Sequence, residues 1–370
     1  MRIISRALHR CADVRQGGSQ LSSTPGQTGG IDLARFIAAW AIVGFHSFSS
    51  AANAEGRLAV LSFVQILLFA ALPLFFALSG FLHGSSSRSE SANWLARRVG
   101  LLYWLLGVWS VVYLMFGRLS RALSAQPIPS AIDIVVFGLA WSHLWFLPVL
   151  AGCVILTWMF RRMGSSSGIF LLTSASLAIG YVALTSVLGL NDRLLYRTPM
   201  FWWFYYVVGF LWAGAIKPRC LQQTRRWTRP AVSAIGVAAA AAYLFGGVSY
   251  PQSKILLYVS ITLLASVAFE VAMSSRVSRG DVAGLASLSL PIYVSHPVWI
   301  AVLMRLLRQQ GEVGFWLVFV WIGALMLSTG TAVVMTRVGW LRSLLTPQPL
   351  VTALRKRYQP PGHAPASERP

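Results

Sequence analysis

Apolar and polar positions alternate along this chain in long blocks, with apolar stretches of spanning length separated by short polar segments. A helix needs about 20 consecutive apolar residues to cross a bilayer. The shorter apolar segment 131–141 is expected to be a re-entrant or surface piece that leads into the fourth helix. The pattern predicts ten membrane-spanning helices near residues 31–50, 58–82, 97–117, 143–160, 168–188, 200–216, 230–248, 254–274, 285–306 and 314–336.

The basic residues give an independent test of this count, because Lys and Arg concentrate in short cytoplasmic loops. With the N-terminus placed inside, 22 Lys and Arg residues fall in inside segments and 8 in outside loops. Arg35 lies within the first helix. The asymmetry favours ten helices with both termini in the cytoplasm. We expect an all-α transmembrane domain over 31–340, with a disordered tail at 1–30 and a second cytoplasmic tail at 341–370.

Composition agrees with a polytopic membrane protein. Of the 370 residues, 56% are hydrophobic and 11% are charged, whereas soluble proteins carry about 25% charged residues. The net charge of +21 would suggest nucleic acid binding in a soluble protein. Here the basic residues lie mainly in predicted cytoplasmic loops, and no nucleic-acid motif is present. The three cysteines lack metal-binding spacing, so we predict neither a metal site nor a resident cofactor.

The first predicted helix carries three ionisable residues, each of which is costly inside a bilayer. Arg35 and His46 are eleven positions apart, which brings them to within about 20° of the same helix face and separates them by about 16 Å along the axis. Asp32 precedes Arg35 by one turn and can pair with it. Snorkelling would explain Asp32 and Arg35 alone, and packing would explain His46 alone. Together they predict a polar path into the membrane.

Further polar residues lie near the predicted cytoplasmic side. Arg97 and Arg98 begin the third helix and serve either as positive-inside anchors or as a phosphate-binding fork. Ser79 and Gly80 near the end of the second helix favour close approach of another backbone. Glu270, near the end of the eighth helix, is expected to pair with a basic group.

Two stretches place histidines where a membrane protein does not need them. "WSHLWFLPVL" starts the fourth helix with His143 and Trp145 at the outer interface; an aromatic belt explains the tryptophan but not the histidine. "SLSLPIYVSHPVWI" puts Tyr293 and His296 in the ninth helix between two prolines, which leave backbone carbonyls free. Broken helices in membranes usually line a cavity.

Five stretches carry a resemblance to a known family. They are "IDLARFIAAWAIVGFH", "PLFFALSGFL", the arginine pair that opens the third helix, "HLWFLPVL" and "SLSLPIYVSHPV", in this order along residues 31 to about 336. The chain resembles the acyltransferase-3 family of integral membrane O-acyltransferases. The resemblance implies ten spanning helices and transfer of an acyl group, often acetyl, from cytoplasmic acyl-CoA to a hydroxyl of a cell-surface glycan or related carbohydrate. It also implies a multi-pass protein of a bacterial inner membrane.

The resemblance gives His46 the central catalytic role and gives Arg35, Arg97 and Arg98 the role of binding the donor. From the residues themselves, His46 is either a general base or a nucleophile that forms an acyl-histidine. Asp32 is expected to hold Arg35.

The acceptor is expected to enter past His143 and Trp145, with Trp145 and Tyr293 as stacking faces. Ser79, Tyr293 and His296 are the candidate oxyanion donors, and the sequence does not choose among them. Two other functions stay open: a transporter or flippase for a glycan or small solute, and a non-catalytic subunit of an export complex. The oligomeric state and the identity of the acceptor are not predicted.

Overall fold

The computed structural model describes residues 25–55, 59–86, 91–121, 130–141, 143–186, 195–215, 225–245, 252–275, 277–278, 280, 282, 284–307 and 313–347. Within these residues the fold is entirely helical, which confirms the all-α prediction. The helices are α1 (Pro25–Glu55), α2 (Ala59–Phe69), α3 (Ala71–Gly84), α4 (Ala92–Arg121), α5 (Ala131–Phe137), α6 (Phe146–Arg162), α7 (Ser167–Ser186), α8 (Pro199–Ala215), α9 (Arg225–Phe245), α10 (Gln252–Ser274), α11 (Leu285–Leu307), α12 (Val313–Arg337) and α13 (Gly339–Leu345).

Every predicted span coincides with a helix, but the helices differ in length. Seven segments in the described part of the chain are long and apolar enough to cross a bilayer. They are Gly29–Ser49, Val64–Gly84, Ala92–Gly117, Ser167–Ser186, Lys254–Ser274, Leu285–Leu307 and Trp316–Arg337. Helices α6 and α8 have 17 residues each, and the apolar part of α9 is Pro230–Phe245. The count of ten spans and the cytoplasmic termini therefore stay predictions.

The second predicted span is interrupted. Helices α2 and α3 are separated by a turn at Ala70, because Pro73 has no N–H to donate to the carbonyl of Phe69. The two helices still form one apolar segment. The break lies beside the pocket described below, which Phe69 and Leu72 help to line.

Helices α3 and α8 approach each other closely, and glycines make this approach possible. A Cβ added at Gly80 would meet the backbone carbonyl of Tyr206, and one added at Gly209 would meet the carbonyl of Ala77. The close approach expected at Gly80 is thus confirmed. Helix α11 packs against both α1 and α12, and α4 packs against α6. This arrangement brings α1, α11 and the start of α6 together.

The segment 131–141 forms the short helix α5, which begins with a capping box between Ser130 and Asp133. It ends at Gly138, whose φ of 61° favours glycine. A Cβ at Gly138 would also press on the backbone of Leu144 and Trp145. The turn therefore folds back on the segment that carries His143 and helps to fix its position.

Helix α13 lies across the predicted domain boundary at residue 340. Its Leu345 is buried, and the Trp104 side chain donates a hydrogen bond to the carbonyl of Ser343 at 3.1 Å. Residues 1–24 and 348–370, which make up most of the two predicted tails, lie outside the described residues. The domain boundaries stay predictions.

Candidate active site

A cavity of about 380 Å³ lies between α1, the α2–α3 break, the start of α6, the segment before α8, and α11. Four of the predicted site residues line this cavity: His46, His143, Trp145 and Tyr293. They come from three different parts of the chain. The remaining lining residues are Ile42, Phe45, Leu68, Phe69, Leu72, Tyr196 and Arg197.

Three histidine rings meet at this cavity. The centroids of the His46 and His296 rings are 5.2 Å apart, and those of His143 and His296 are 5.3 Å apart. His143 and His296 are almost completely buried, with exposures of 1% and 0%. Among the described residues, no group of three or more His, Cys, Asp or Glu side chains has the arrangement of a metal site. Each imidazole has one nitrogen that donates and one that accepts when neutral, so the cluster is suited to proton transfer and hydrogen bonding.

His143 is held rigidly by two tyrosines. The Tyr293 hydroxyl donates a hydrogen bond of 2.5 Å to the backbone carbonyl of His143, and the rings of Tyr113 and Tyr293 contact the imidazole edge-on at 5.0 and 5.4 Å. The carbonyl of Val294 also lies close to the ring, but it accepts the Tyr113 hydroxyl at 2.6 Å. Within the described residues, neither ring nitrogen of His143 makes a hydrogen bond of normal geometry.

The hydrogen on the His296 ring has a defined place. Its Nδ1 lies 2.7 Å from the carbonyl oxygen of Tyr293 and 3.3 Å from that of Ile292. Because a carbonyl only accepts, Nδ1 carries the hydrogen. The Tyr293 carbonyl is available because Pro297, four residues later, has no N–H. The prediction that the prolines free carbonyls near the site is confirmed at this position.

Aromatic side chains form one part of the cavity wall and of the layer behind it. The rings of Trp145 and Tyr196 are 4.6 Å apart, and Trp202 contacts both of them at 5.5 and 5.1 Å. The Trp202 indole also donates a hydrogen bond of 2.8 Å to the Tyr196 carbonyl. Sequence reasoning did not single out Tyr196 as a site residue, and it used Arg197 only in the count of loop charges. The only hint in the sequence was that both residues lie just before the helix predicted at 200–216.

A second polar cluster, here called the arginine end, lies about 16 Å along α1 from His46. Arg35 interacts electrostatically with both Asp32 and Arg98, which come from α1 and α4. Arg98 also lies near the hydroxyl of Tyr206. Two neighbouring arginines repel each other in a medium of low dielectric constant, and an anion removes that penalty.

The arginine end also includes a buried pair that the sequence did not predict. His83 Nδ1 and the Tyr206 hydroxyl are 2.7 Å apart, and the ring of Trp94 lies 4.4 Å from that of His83. Tyr206 thus links His83 to the neighbourhood of Arg98. Arg97, in contrast, is exposed on the surface of α4.

The other predicted site residues do not line the cavity. Ser79 is buried on α3 next to the close contact with α8. Glu270 is half-buried on α10, two residues before Ala272, whose carbonyl faces Gly30 at the start of α1. The structure thus brings His46, His143, Tyr293 and His296 together and assembles Asp32, Arg35 and Arg98 separately.

Comparison with protein families gives a match over most of the chain. The family model described as an acyltransferase domain, Acyl_transf_3, matches residues 28–336. The chain belongs to the acyltransferase-3 family. Comparison with curated proteins gave no match, and comparison with solved structures gave none either. Together with the seven long apolar helices, the family indicates an integral membrane acyltransferase.

Acyl transfer requires a base for the attacking group and a hydrogen-bond donor for the oxyanion that forms at the carbonyl. His46 and His143 both line the pocket, and an imidazole is able to serve in either role. The two oxyanion candidates Tyr293 and His296 already donate their hydrogens to backbone carbonyls. The third candidate, Ser79, does not line this pocket. His143 therefore becomes the candidate donor with the better position.

Proposed function

We propose that this protein transfers a short acyl group, with acetyl as the default, from acyl-CoA to a hydroxyl of a cell-surface carbohydrate. The observation that carries the proposal is the pairing, on one face of α1, of a pocket histidine with an arginine cluster about 16 Å away. A phosphate-bearing donor with a long thin arm matches this separation. The acyltransferase-3 family supplies the reaction type.

In this mechanism the donor phosphates bind at the arginine end. Arg35 and Arg98 supply guanidinium groups, and Arg97 adds a nearby surface charge. Asp32 holds Arg35 by offsetting the repulsion from Arg98. The acyl arm then runs along the polar face of α1 and brings the thioester into the pocket next to His46.

The acceptor binds from the other end of the pocket. Trp145 and Tyr196 offer flat faces for a sugar ring, and Arg197 offers hydrogen bonds to its oxygens. His46 takes the proton from the hydroxyl as the oxygen attacks the thioester carbon. An N–H of His143 donates to the carbonyl oxygen as negative charge develops there. The C–S bond breaks, and the CoA thiolate takes the proton from His46. An acyl-histidine route through His46 is the alternative.

The proposal includes a membrane orientation. The arginine end faces the cytoplasm, where acyl-CoA is found, and ten helices cross a bacterial inner membrane with both termini inside. The excess of Lys and Arg in the corresponding loops supports this orientation.

The test compares a strain lacking the protein with strains that carry the wild type, His46→Ala or Ile37→Ala. Ile37 lies on the same helix and is exposed, so it is a matched control. Mass spectrometry of the surface glycans reports the acyl mass and the sugar that carries it. We expect His46→Ala to lose one modification that the wild type and Ile37→Ala retain, at equal membrane levels. An unchanged glycan pattern in the deletion strain would refute the proposed function.

A further inference from the structure

The Nε2 atom of His296 is a buried hydrogen-bond acceptor without a donor. Its Nδ1 carries the hydrogen, so in the neutral ring Nε2 carries the lone pair. This atom is fully buried and has no hydrogen-bond partner among the described residues. A buried acceptor without a donor destabilises the protein, and a donor that reaches Nε2 in another state of the enzyme would remove this cost.

The place of that hydrogen is set by a proline. In a regular helix the N–H of residue 297 would donate to the carbonyl of Tyr293. Pro297 has no N–H, and the open carbonyl takes the hydrogen of His296 Nδ1 instead. The tautomer of His296 therefore depends on the neighbouring proline.

Two side chains whose rings contact His296 can supply a donor, His46 and His143. An in-plane hydrogen bond between two imidazoles places their centroids roughly 5 Å apart, because the donor and acceptor nitrogens are about 2.9 Å apart. The observed distance between the His46 and His296 centroids is 5.2 Å, so a rotation of the rings would be sufficient. The two planes are inclined by 33°, against 66° for His143 and His296. Catalytic hydrogen bonds often align only when substrate is bound.

We propose that His296 is a positioning residue whose Nε2 accepts a hydrogen bond from His46 during acyl transfer. This inference rests on the proposed function and deepens it. Neutral His46 keeps its hydrogen on the nitrogen that faces His296, and during the reaction its other nitrogen takes the proton of the acceptor hydroxyl. As the C–O bond forms and the C–S bond breaks, His296 holds the resulting imidazolium. The proton then passes from His46 to the CoA thiolate.

The first test changes the tautomer without touching a histidine. Pro297→Ala restores an N–H that competes for the Tyr293 carbonyl, and Pro291→Ala restores one elsewhere on the same helix as the control. Nitrogen-15 NMR of purified protein labelled at histidine distinguishes the two tautomers, and His296→Asn identifies the signal. We expect Pro297→Ala to change the tautomer and to lower acylation about tenfold or more, by analogy with the loss of a partner that orients a metal-bound histidine. Pro291→Ala should change neither.

The second test separates the two ring nitrogens. The amide of His296→Gln reaches the Nε2 position and can accept there, whereas His296→Asn offers an amide only near Nδ1. We expect glycan acylation to fall in the order wild type, His296→Gln, His296→Asn at equal membrane levels. Equal activity of the two variants would overturn the inference.

The outcomes of the proline test also separate the inference from the proposed function. The role of His296 would be overturned if Pro297→Ala changed the tautomer but kept full acylation. It would also be overturned if this variant lost acylation while the tautomer stayed the same. Wild-type cells that show no more acylation than the deletion strain would instead remove the proposed function itself.

Discussion

The contact between α3 and α8 predicts a specific penalty for Gly209→Ala. The added methyl group would lie 2.7 Å from the carbonyl carbon and 3.0 Å from the Cα of Ala77. Contact between carbon atoms normally begins at about 3.5 Å, and the carbonyl oxygen of Ala77 lies closer to the added methyl than either carbon, so the helices must separate by about 1 Å or more. All the crowded atoms belong to the backbone, and no side-chain rotation relieves them.

The control is Gly107→Ala on α4, where an added Cβ meets nothing within 4 Å. Both substitutions gain about 0.5–1 kcal/mol because alanine is a better helix former than glycine. That gain cancels in the comparison. The difference between the two variants is then the cost of overpacking, about 1–3 kcal/mol.

The assay is the apparent melting temperature of the detergent-solubilised protein, measured as the fraction that stays monodisperse after heating. At about 2 °C per kcal/mol for a chain of this size, Gly209→Ala should melt about 2–6 °C below Gly107→Ala. Unfolding of membrane proteins is commonly irreversible, so both variants must be heated at the same rate. Equal melting temperatures would refute the close packing of α3 on α8.

Three further predictions concern the two ends of the site. Arg98→Gln should raise the KM for acyl-CoA more than Arg97→Gln, because Arg98 lies near Arg35 while Arg97 is exposed. The assay measures CoA release from membranes, and equal effects of the two substitutions would contradict the proposed donor site. Arg197→Gln should raise the KM for the acceptor and leave that for acyl-CoA unchanged, in the same assay with each substrate varied. Tyr113→Phe should lower the apparent melting temperature, because the Val294 carbonyl loses a hydrogen bond worth about 1 kcal/mol; a value equal to that of the wild type would contradict this contact.

The helices could be predicted from sequence because spanning length and apolar composition are local properties. All ten predicted spans contain a helix, although α6 and α8 have only 17 residues each and the apolar part of α9 is Pro230–Phe245. The interruption at Ala70 was not predicted, although Pro73 was visible in the sequence. Its effect depends on whether neighbouring groups compensate for the missing hydrogen bond.

The site was partly predictable for the same reason. The shared face of Arg35 and His46 follows from helix geometry alone. The pairing of His83 with Tyr206 does not, because these residues are 123 positions apart and meet only when α3 packs on α8. Arg197 likewise lines the pocket, but its segment has no periodic pattern of apolar residues. The sequence therefore did not indicate which way its side chain would point.

Pro297 illustrates both what the sequence predicts and what only the structure shows. Sequence alone establishes that a proline in a helix leaves the carbonyl four residues earlier without its usual donor. It does not establish which group takes that carbonyl. In this fold the group is the imidazole of His296, one residue before the proline, and its bond with Tyr293 directs the remaining lone pair into the histidine cluster. A feature that would weaken an ordinary helix thereby sets the tautomer of His296, whose ring lies next to that of His46.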